Sequence, residues 1–248
     1  MTTVRVIARE VAPVLGAGRR ELRRHPVWTA ESTEGAGVGV VVVPGFGGAD
    51  ASMAVLRRWL VRRGYAPSGA GLGLNVGCSS ALVDRLEQRV AEHAGATGGP
   101  LVLIGHSRGG WIARLVAVRR PDLVRGLVML GAPVLDPLDA RAVVQVAIRG
   151  LLGLSCLGVR GMLDEDCVHG ECREATAAGL AAPLPMPALA VYSRDDGVVG
   201  WRSCRDPQAE WVEVRSSHTG MGTDPELFAV LVPRLAVWAG HGPSTVAS

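Results

Sequence analysis

Residues 101–113 read "LVLIGHSRGGWIA". Four apolar residues run into glycine, histidine, serine and arginine, then two more glycines and a second apolar run. The first run, "PLVLIGH", reads as a strand buried on both faces. The second, "RGGWIARLVAVRRP" (108–121), reads as a helix stopped by Pro121. Gly105-His106-Ser107-Arg108-Gly109 therefore places a hydroxyl at the apex of a strand-to-helix turn. Such a turn strains the serine backbone. It also brings residues two before and two after so close that a Cβ on either would clash, which explains the glycines. The hydroxyl is lifted clear of the sheet at a helix N-terminus, where partial positive charge stabilises an oxyanion.

The same rhythm extends in both directions. "GVGVVVVPGFGG" (37–48) is a β-branched run bounded by glycine and proline, and so a buried strand. "DASMAVLRRWLVRRG" (50–64) follows as a helix, with Asp50 as its cap, Val55, Leu56, Trp59 and Leu60 on one face, and Gly64 at its end. "YAPSGAGLG" (65–73) is a short strand and loop. "SSALVDRLEQRVAEHAG" (79–95) is amphipathic, with Leu82, Leu86 and Val90 four apart. Further strands are expected at 123–133, 187–196 and 209–217, and a closing helix at 224–240. About six strands separated mostly by helices make a parallel, doubly wound sheet, because parallel neighbours need crossovers. Residues 134–186 break the alternation and read as an insertion with helical apolar patches, a cysteine-containing loop and a proline cluster. Residues 1–34 read as a helical arm, 35–240 as the main domain and 241–248 as a flexible tail.

The 248 residues suit one large α/β domain. All 26 basic residues are arginine, the net charge is +3, and a single asparagine is present. This composition points to a GC-rich genome. The arginines are dispersed in pairs and only two Tyr and two Phe occur, which argues against a nucleic-acid groove. No run reaches the ~18–20 apolar residues of a membrane span, and the N-terminus lacks the order of a signal peptide. A cytoplasmic protein is expected.

With the strand, turn and helix in place, residues 101–113 resemble the nucleophile elbow of the α/β-hydrolases. The order of the chain from about 36 to 240 is similar to bacterial lipase- and esterase-type members with "GHSxGG" elbows. The resemblance implies the α/β-hydrolase fold with a helical cap and a serine nucleophile at Ser107. A serine hydroxyl needs a base, and the family places it in the loop after the last strand. His218, in "RSSHTGMG", matches that position. His106 sits on the elbow and is expected to point away. The imidazole needs an acid to fix its tautomer. In "YSRDDGVVGW" the D-x-V-V pattern of the family selects Asp196; Asp195 and Asp136 stay open as alternatives. The order Ser107, Asp196, His218 is that of the fold.

The resemblance also implies an oxyanion hole made by the backbone N–H groups of Arg108 and of Phe46, in the "PGFGG" loop. A cation at position 108 opposes the helix dipole, so Arg108 is expected either to meet an acidic neighbour or to face an anionic part of the substrate. The insertion falls where lipases carry a cap. Its apolar residues (Val143, Val144, Val146, Ile148, Leu151, Leu152, Leu154) exceed one buried helix face. Either they pack on the domain or they form a lid over an acyl pocket, with Ile148 and Leu151 touching substrate. Of five cysteines, Cys167, Cys172 and Cys156 allow a disulfide within the cap, free thiols, or a zinc site completed by His169. Cys78 and Cys204 read as structural. No cofactor or metal is expected for the reaction. The expected function is hydrolysis of carboxylic esters through an acyl-enzyme on a small-molecule or lipid-like acyl substrate. A transferase, cyclase or thioesterase-like use of the same intermediate is the alternative, and a non-catalytic binding protein a more distant one.

Overall fold

A computed structural model of the chain describes residue 10 and residues 17–240, except 31, 140, 141 and 160. The expected tail at 241–248 and most of the first 16 residues lie outside the described residues.

Six parallel strands form one sheet in the order β2-β1-β3-β4-β5-β6. They are β1 (Gly39–Val43), β2 (Ala66–Gly69), β3 (Leu101–His106), β4 (Val124–Leu130), β5 (Ala188–Tyr192) and β6 (Glu210–Glu213). The middle strands are buried along nearly their whole length, which is why they read as unbroken β-branched and aliphatic runs. β6 is a mostly exposed edge, "EWVE", shorter than its sequence suggests. Leaving β1, the chain turns outward to β2 and then crosses back to β3 on the other side. The loops after β1 and β3 therefore diverge and leave a crevice at the strands' C-terminal ends.

Helices cover both faces. α1 (Ala17–Arg24), α2 (Pro26–Thr29), α3 (Ala54–Arg62) and α9 (Pro225–Trp238) lie on one side, with Leu22, Val27, Trp59 and Phe228 in a common core. Trp59 donates its indole N–H to the Val27 carbonyl at 2.9 Å, so the segment before β1 is tied into that core. α4 (Ser79–Thr97) and α5 (Arg108–Arg119) lie on the other side, packing Leu82, Leu86, Ile112 and Val116 against the sheet. Asp50 does not cap a helix. Residues Asp50–Met53 form a 3-10 turn, and the Asp50 carboxylate accepts the Ala70 and Gly71 amides beyond β2 instead.

The insertion contains three helices: α6 (Ala142–Cys156), α7 (Glu165–His169) and α8 (Glu171–Ala181). α7 and the first residues of α8 take the place of the C-terminal part of the expected cysteine loop. Asp164 caps α7 by accepting the Cys167 N–H. The signal is present as an Asp before two acids, but the glycines on either side conceal it.

α8 is fastened to the domain by a buried ion pair. Arg114 on α5 donates to Asp206 at 2.5 Å, with both side chains 1% exposed. Its other nitrogens donate to the Gly179 and Ala182 carbonyls at the end of α8. Asp206→Ala strands a buried guanidinium and is expected to cost about 3–5 kcal/mol in urea denaturation. A hydrophobic double replacement, Arg114→Met with Asp206→Leu, should lose much less, because no charge is then left unpaired.

Candidate active site

Four loops meet at the C-terminal edge of the sheet. Between β3 and α5, Ser107 adopts φ 53°, ψ −125°, one of two non-glycine residues with positive φ among those described. A Cβ on Gly105 would collide with the Gly109 carbonyl oxygen, and one on Gly109 would collide with that of Pro44. No side chain fits either place, so the glycines are required by the turn. The strain is held by hydrogen bonds on both sides of the serine. Its N–H donates to the Leu130 carbonyl at 2.8 Å and its own carbonyl accepts the Gly110 N–H at 2.9 Å.

His218 sits in the loop after β6, and Asp196 in the loop after β5. Asp196 Oδ2 lies 2.6 Å from His218 Nδ1, and both side chains are nearly inaccessible. The other oxygen, Oδ1, accepts the Val198 and Val199 N–H groups at 2.8 Å each. That explains the D-x-V-V pattern physically: the backbone closes on the carboxylate. Gly131, at φ 54°, lets the β4 end pass beside the pair, since a Cβ there would lie 3.2 Å from His218 Nδ1 and 3.3 Å from Asp196 Oδ2. Asp195 donates its own N–H to Ser193, and Asp136 accepts the Leu138 N–H; His218 is paired with neither.

Three supporting residues escape a reading of the sequence. His106 does not turn away from the site. Its Nε2 donates to the His218 carbonyl at 2.9 Å, and the two rings lie 4.6 Å apart. Burial first, and the neighbouring His218 second, push its pKa down to about 3, so the ring stays neutral at physiological pH. Glu10 is the second. Its carboxylate accepts the Gly197 N–H at 2.8 Å, the His218 N–H at 3.0 Å and the Thr219 N–H at 2.9 Å. One side chain from the N-terminal segment thus joins the loops bearing Asp196 and His218. Its distance in sequence, with no motif around it, hides this role.

The third is Asn75, the single asparagine. Its Nδ2 donates to the Pro44 carbonyl at 2.8 Å, its N–H to Gly48 and its carbonyl accepts from Gly47. It therefore shapes the loop carrying Phe46. The Phe46 and Arg108 amides donate no hydrogen bond among the described residues, and both residues line the same cavity as Ser107 and His218. The Arg108 side chain does not meet the acidic neighbour that is one of its two expected partners. It is buried and donates to the Asn75 and Gly77 carbonyls and the Ser79 hydroxyl, with its guanidinium near the Phe46 and Trp111 rings.

The cavity has a volume of about 540 Å³. Leu135, Leu138, Val144, Ile148 and Leu163 from the insertion form its cap side, facing Phe46, Trp111 and Val199. Leu151, three residues further along α6, is not among the residues that line it. Leu152 packs instead towards Cys167 and Cys172, while Val146 and Leu154 are exposed. The side chain of Val143 lies outside the described residues. All five cysteines are free thiols. Cys167 and Cys172 approach to 3.5 Å without a bond, so the cap disulfide is not formed. Cys156 is exposed, and His169 faces solvent beside Glu165, so neither joins them. Cys78 does, with its sulfur 3.8 Å from that of Cys172.

A sequence profile of the α/β hydrolase fold matches residues 40–155. No curated protein matches the chain. Among solved structures, the chain is similar to one of two metagenome-derived lipolytic enzymes, at 19% identity and a TM-score of 0.59 over 86% of this chain and 97% of the other. It is similar to a lipase of Bacillus licheniformis in mature form, at 16% identity and a TM-score of 0.60 over 81% and 92% of the two chains. A thioesterase domain from the curacin biosynthetic pathway aligns at 14% identity and a TM-score of 0.55 over 84% and 93%. No described helix is long and apolar enough to cross a membrane. Sheet order, elbow and profile together show that this chain has the α/β-hydrolase fold.

Proposed function

We propose that this protein is a serine hydrolase of carboxylic esters, acting through an acyl-enzyme on an apolar acyl substrate. The observation that carries the reading is the strained Ser107 opening onto the same cavity as His218, whose Nδ1 is held at 2.6 Å by a buried carboxylate. Asp196 keeps the Nδ1 proton in place, which leaves Nε2 to accept the proton of Ser107 Oγ. The oxygen attacks the acyl carbon, and the Phe46 and Arg108 amides receive the oxyanion. The imidazolium then protonates the departing alcohol, and water repeats the sequence to free the acid. Thioesters fit the same steps, so a thioesterase or acyl-transfer reaction is the second reading, favoured by the likeness to the thioesterase domain.

A fluorophosphonate probe should label Ser107 alone, and labelling of another residue would overturn the reading. A series of p-nitrophenyl esters and matched thioesters then measures the pocket. Each buried methylene contributes at most ~0.8 kcal/mol, so kcat/KM should rise by up to about fourfold per carbon until the cavity fills. Ile148→Asp should flatten that slope; Leu151→Asp, on the same helix but away from the cavity, should not.

Glu10 is assigned as a positioning residue in this scheme. Glu10→Ala leaves three amides unpaired and loosens both loops of the Asp196–His218 pair. Displacements of ~1 Å at reacting groups cost on the order of 100-fold, so kcat should fall by about 10–100-fold with KM changed far less. Glu10→Gln, which keeps an acceptor oxygen, should recover part of the loss. A fall in melting temperature with kcat intact would assign Glu10 to stability alone.

A further inference from the structure

Cys78, Cys167 and Cys172 take no part in the reaction scheme above, yet their sulfurs all lie within 4.8 Å of one another. The Cys167–Cys172 separation is 3.5 Å and the Cys78–Cys172 separation is 3.8 Å. Cys78 immediately precedes α4 in the hydrolase core, Cys167 is on α7 and Cys172 on α8. The cluster therefore joins core to cap, in a small apolar knot with Leu163 and Val168, and Cys167 reaches the cavity wall.

Three features suit a metal ion. The first is geometry. Thiolates bound to one ion at ~2.3 Å stand about 3.8–4.0 Å apart, so this triangle needs only small adjustments. The second is charge. Arg108 is 6% exposed and has no carboxylate partner among the described residues; its hydrogen bonds to the Gly77 carbonyl and the Ser79 hydroxyl, on either side of Cys78, place its guanidinium beside the cluster. A buried cation without a counter-ion is costly. Three thiolates around a divalent ion carry one net negative charge, which Arg108 neutralises. A monovalent ion would leave an excess charge in the same apolar knot, so the charge balance selects a divalent one. The third is hydrogen bonding. The Ser79 N–H donates to Cys167 Sγ at 3.4 Å, and the Ser80 hydroxyl lies 3.2 Å from Cys172 Sγ, where it can donate to a metal-bound sulfur.

We propose that Cys78, Cys167 and Cys172 form a three-thiolate site for one divalent d10 cation of the zinc class, which pins the cap to the core beside the cavity. On binding, three S–H groups release their protons to solvent, three sulfur–metal bonds form, and no electrons are exchanged. The fourth coordination position falls to a water, since no fourth His, Cys, Asp or Glu joins the cluster among the described residues. Arg108 couples this site to the loop bearing Phe46 through the Asn75 carbonyl. The proposal does not depend on the ester-hydrolase reading, and its test does not use activity.

The reduced, metal-free chain is titrated with Cd(II), which takes thiolate sites of this kind and gives an ultraviolet thiolate-to-metal charge-transfer band. Zn(II) is then titrated in competition with a chromogenic chelator. One equivalent is expected to bind, with close to three protons released per ion in unbuffered solution. Cys78→Ser, Cys167→Ser and Cys172→Ser should each abolish the band, while Cys156→Ser and Cys204→Ser keep it. Circular dichroism checks that each variant is folded. Alkylation of the wild-type chain followed by peptide mass analysis needs no variant, and bound Zn(II) should protect these three thiols and leave Cys156 reactive. Absence of stoichiometric binding, binding unchanged in the three serine variants, or protection of other cysteines overturns the proposal. So does oxidation of two of these thiols to a disulfide by dissolved oxygen in the presence of Zn(II).

Discussion

Ser107→Ala lowers ester turnover by roughly five to six orders of magnitude, and His218→Ala lowers it to a similar floor. The double variant falls little further, because nucleophile and base act as a unit: once the hydroxyl is gone, the imidazole has no proton to take. The floor itself reflects what survives both changes, the Phe46 and Arg108 amides and the cavity walls, which still bind and polarise an ester. Stability should move the other way or not at all. Ser107 holds a backbone conformation at φ 53° that alanine adopts no more readily, but its hydroxyl forms no hydrogen bond among the described residues. Burst kinetics and steady-state turnover, with thermal melting as control, check this. Multiplicative losses in the double variant, or activity within tenfold of wild type in either single one, would remove Ser107 and His218 from a shared mechanism.

The parts of this site that lie close together along the chain are legible in the sequence itself. The elbow is legible because its glycines, hydroxyl and flanking apolar runs fall within one short stretch and share one cause, a strand turning sharply into a helix. The sheet is legible because buried parallel strands cannot alternate polar and apolar residues. Contacts made across the chain are not. Glu10 reaches His218 from the other end of the sequence, and a lone glutamate beside Arg9 looks like any solvated charge. His106 carries the signature of an elbow neighbour, yet the fold tilts it against His218. Arg108 shows the limit of a local electrostatic argument. The dipole at the start of α5 opposes its charge, but its side chain is long enough to leave the dipole and collect carbonyls from the 75–79 segment. Within the cap, apolar periodicity marks α6, but not which of its turns face the cavity: Ile148 does and Leu151 does not.

Asp196→Asn should lower kcat by roughly 10³–10⁴-fold, while Asp195→Asn stays within a few-fold of wild type. The argument rests on which way the new amide must face. In the native site Asp196 Oδ1 accepts two backbone N–H groups, from Val198 and Val199, and Oδ2 accepts from His218 Nδ1. An asparagine satisfies the two backbone amides only by turning its single oxygen towards them, since reversing it would set an NH₂ against two N–H donors, that of Val199 buried. Its NH₂ then points at His218 Nδ1. That nitrogen must become the acceptor, the ring proton moves to Nε2, and the nitrogen facing the cavity can no longer take a proton from Ser107. The folded structure should survive, because every hydrogen bond of the native loop has a counterpart in the variant. The loss is thus one of tautomer and not of geometry, and it has its own signature: nearly unchanged substrate affinity, unchanged melting temperature, and an Nε2–H resonance in the NMR spectrum of His218 where the native ring carries its proton on Nδ1. Asp195 makes no hydrogen bond to His218 among the described residues, so its replacement leaves the ring tautomer as it is. A larger effect at Asp195 than at Asp196 would transfer the acid to its neighbour, and small, equal effects at both would leave His218 without a carboxylate to orient it.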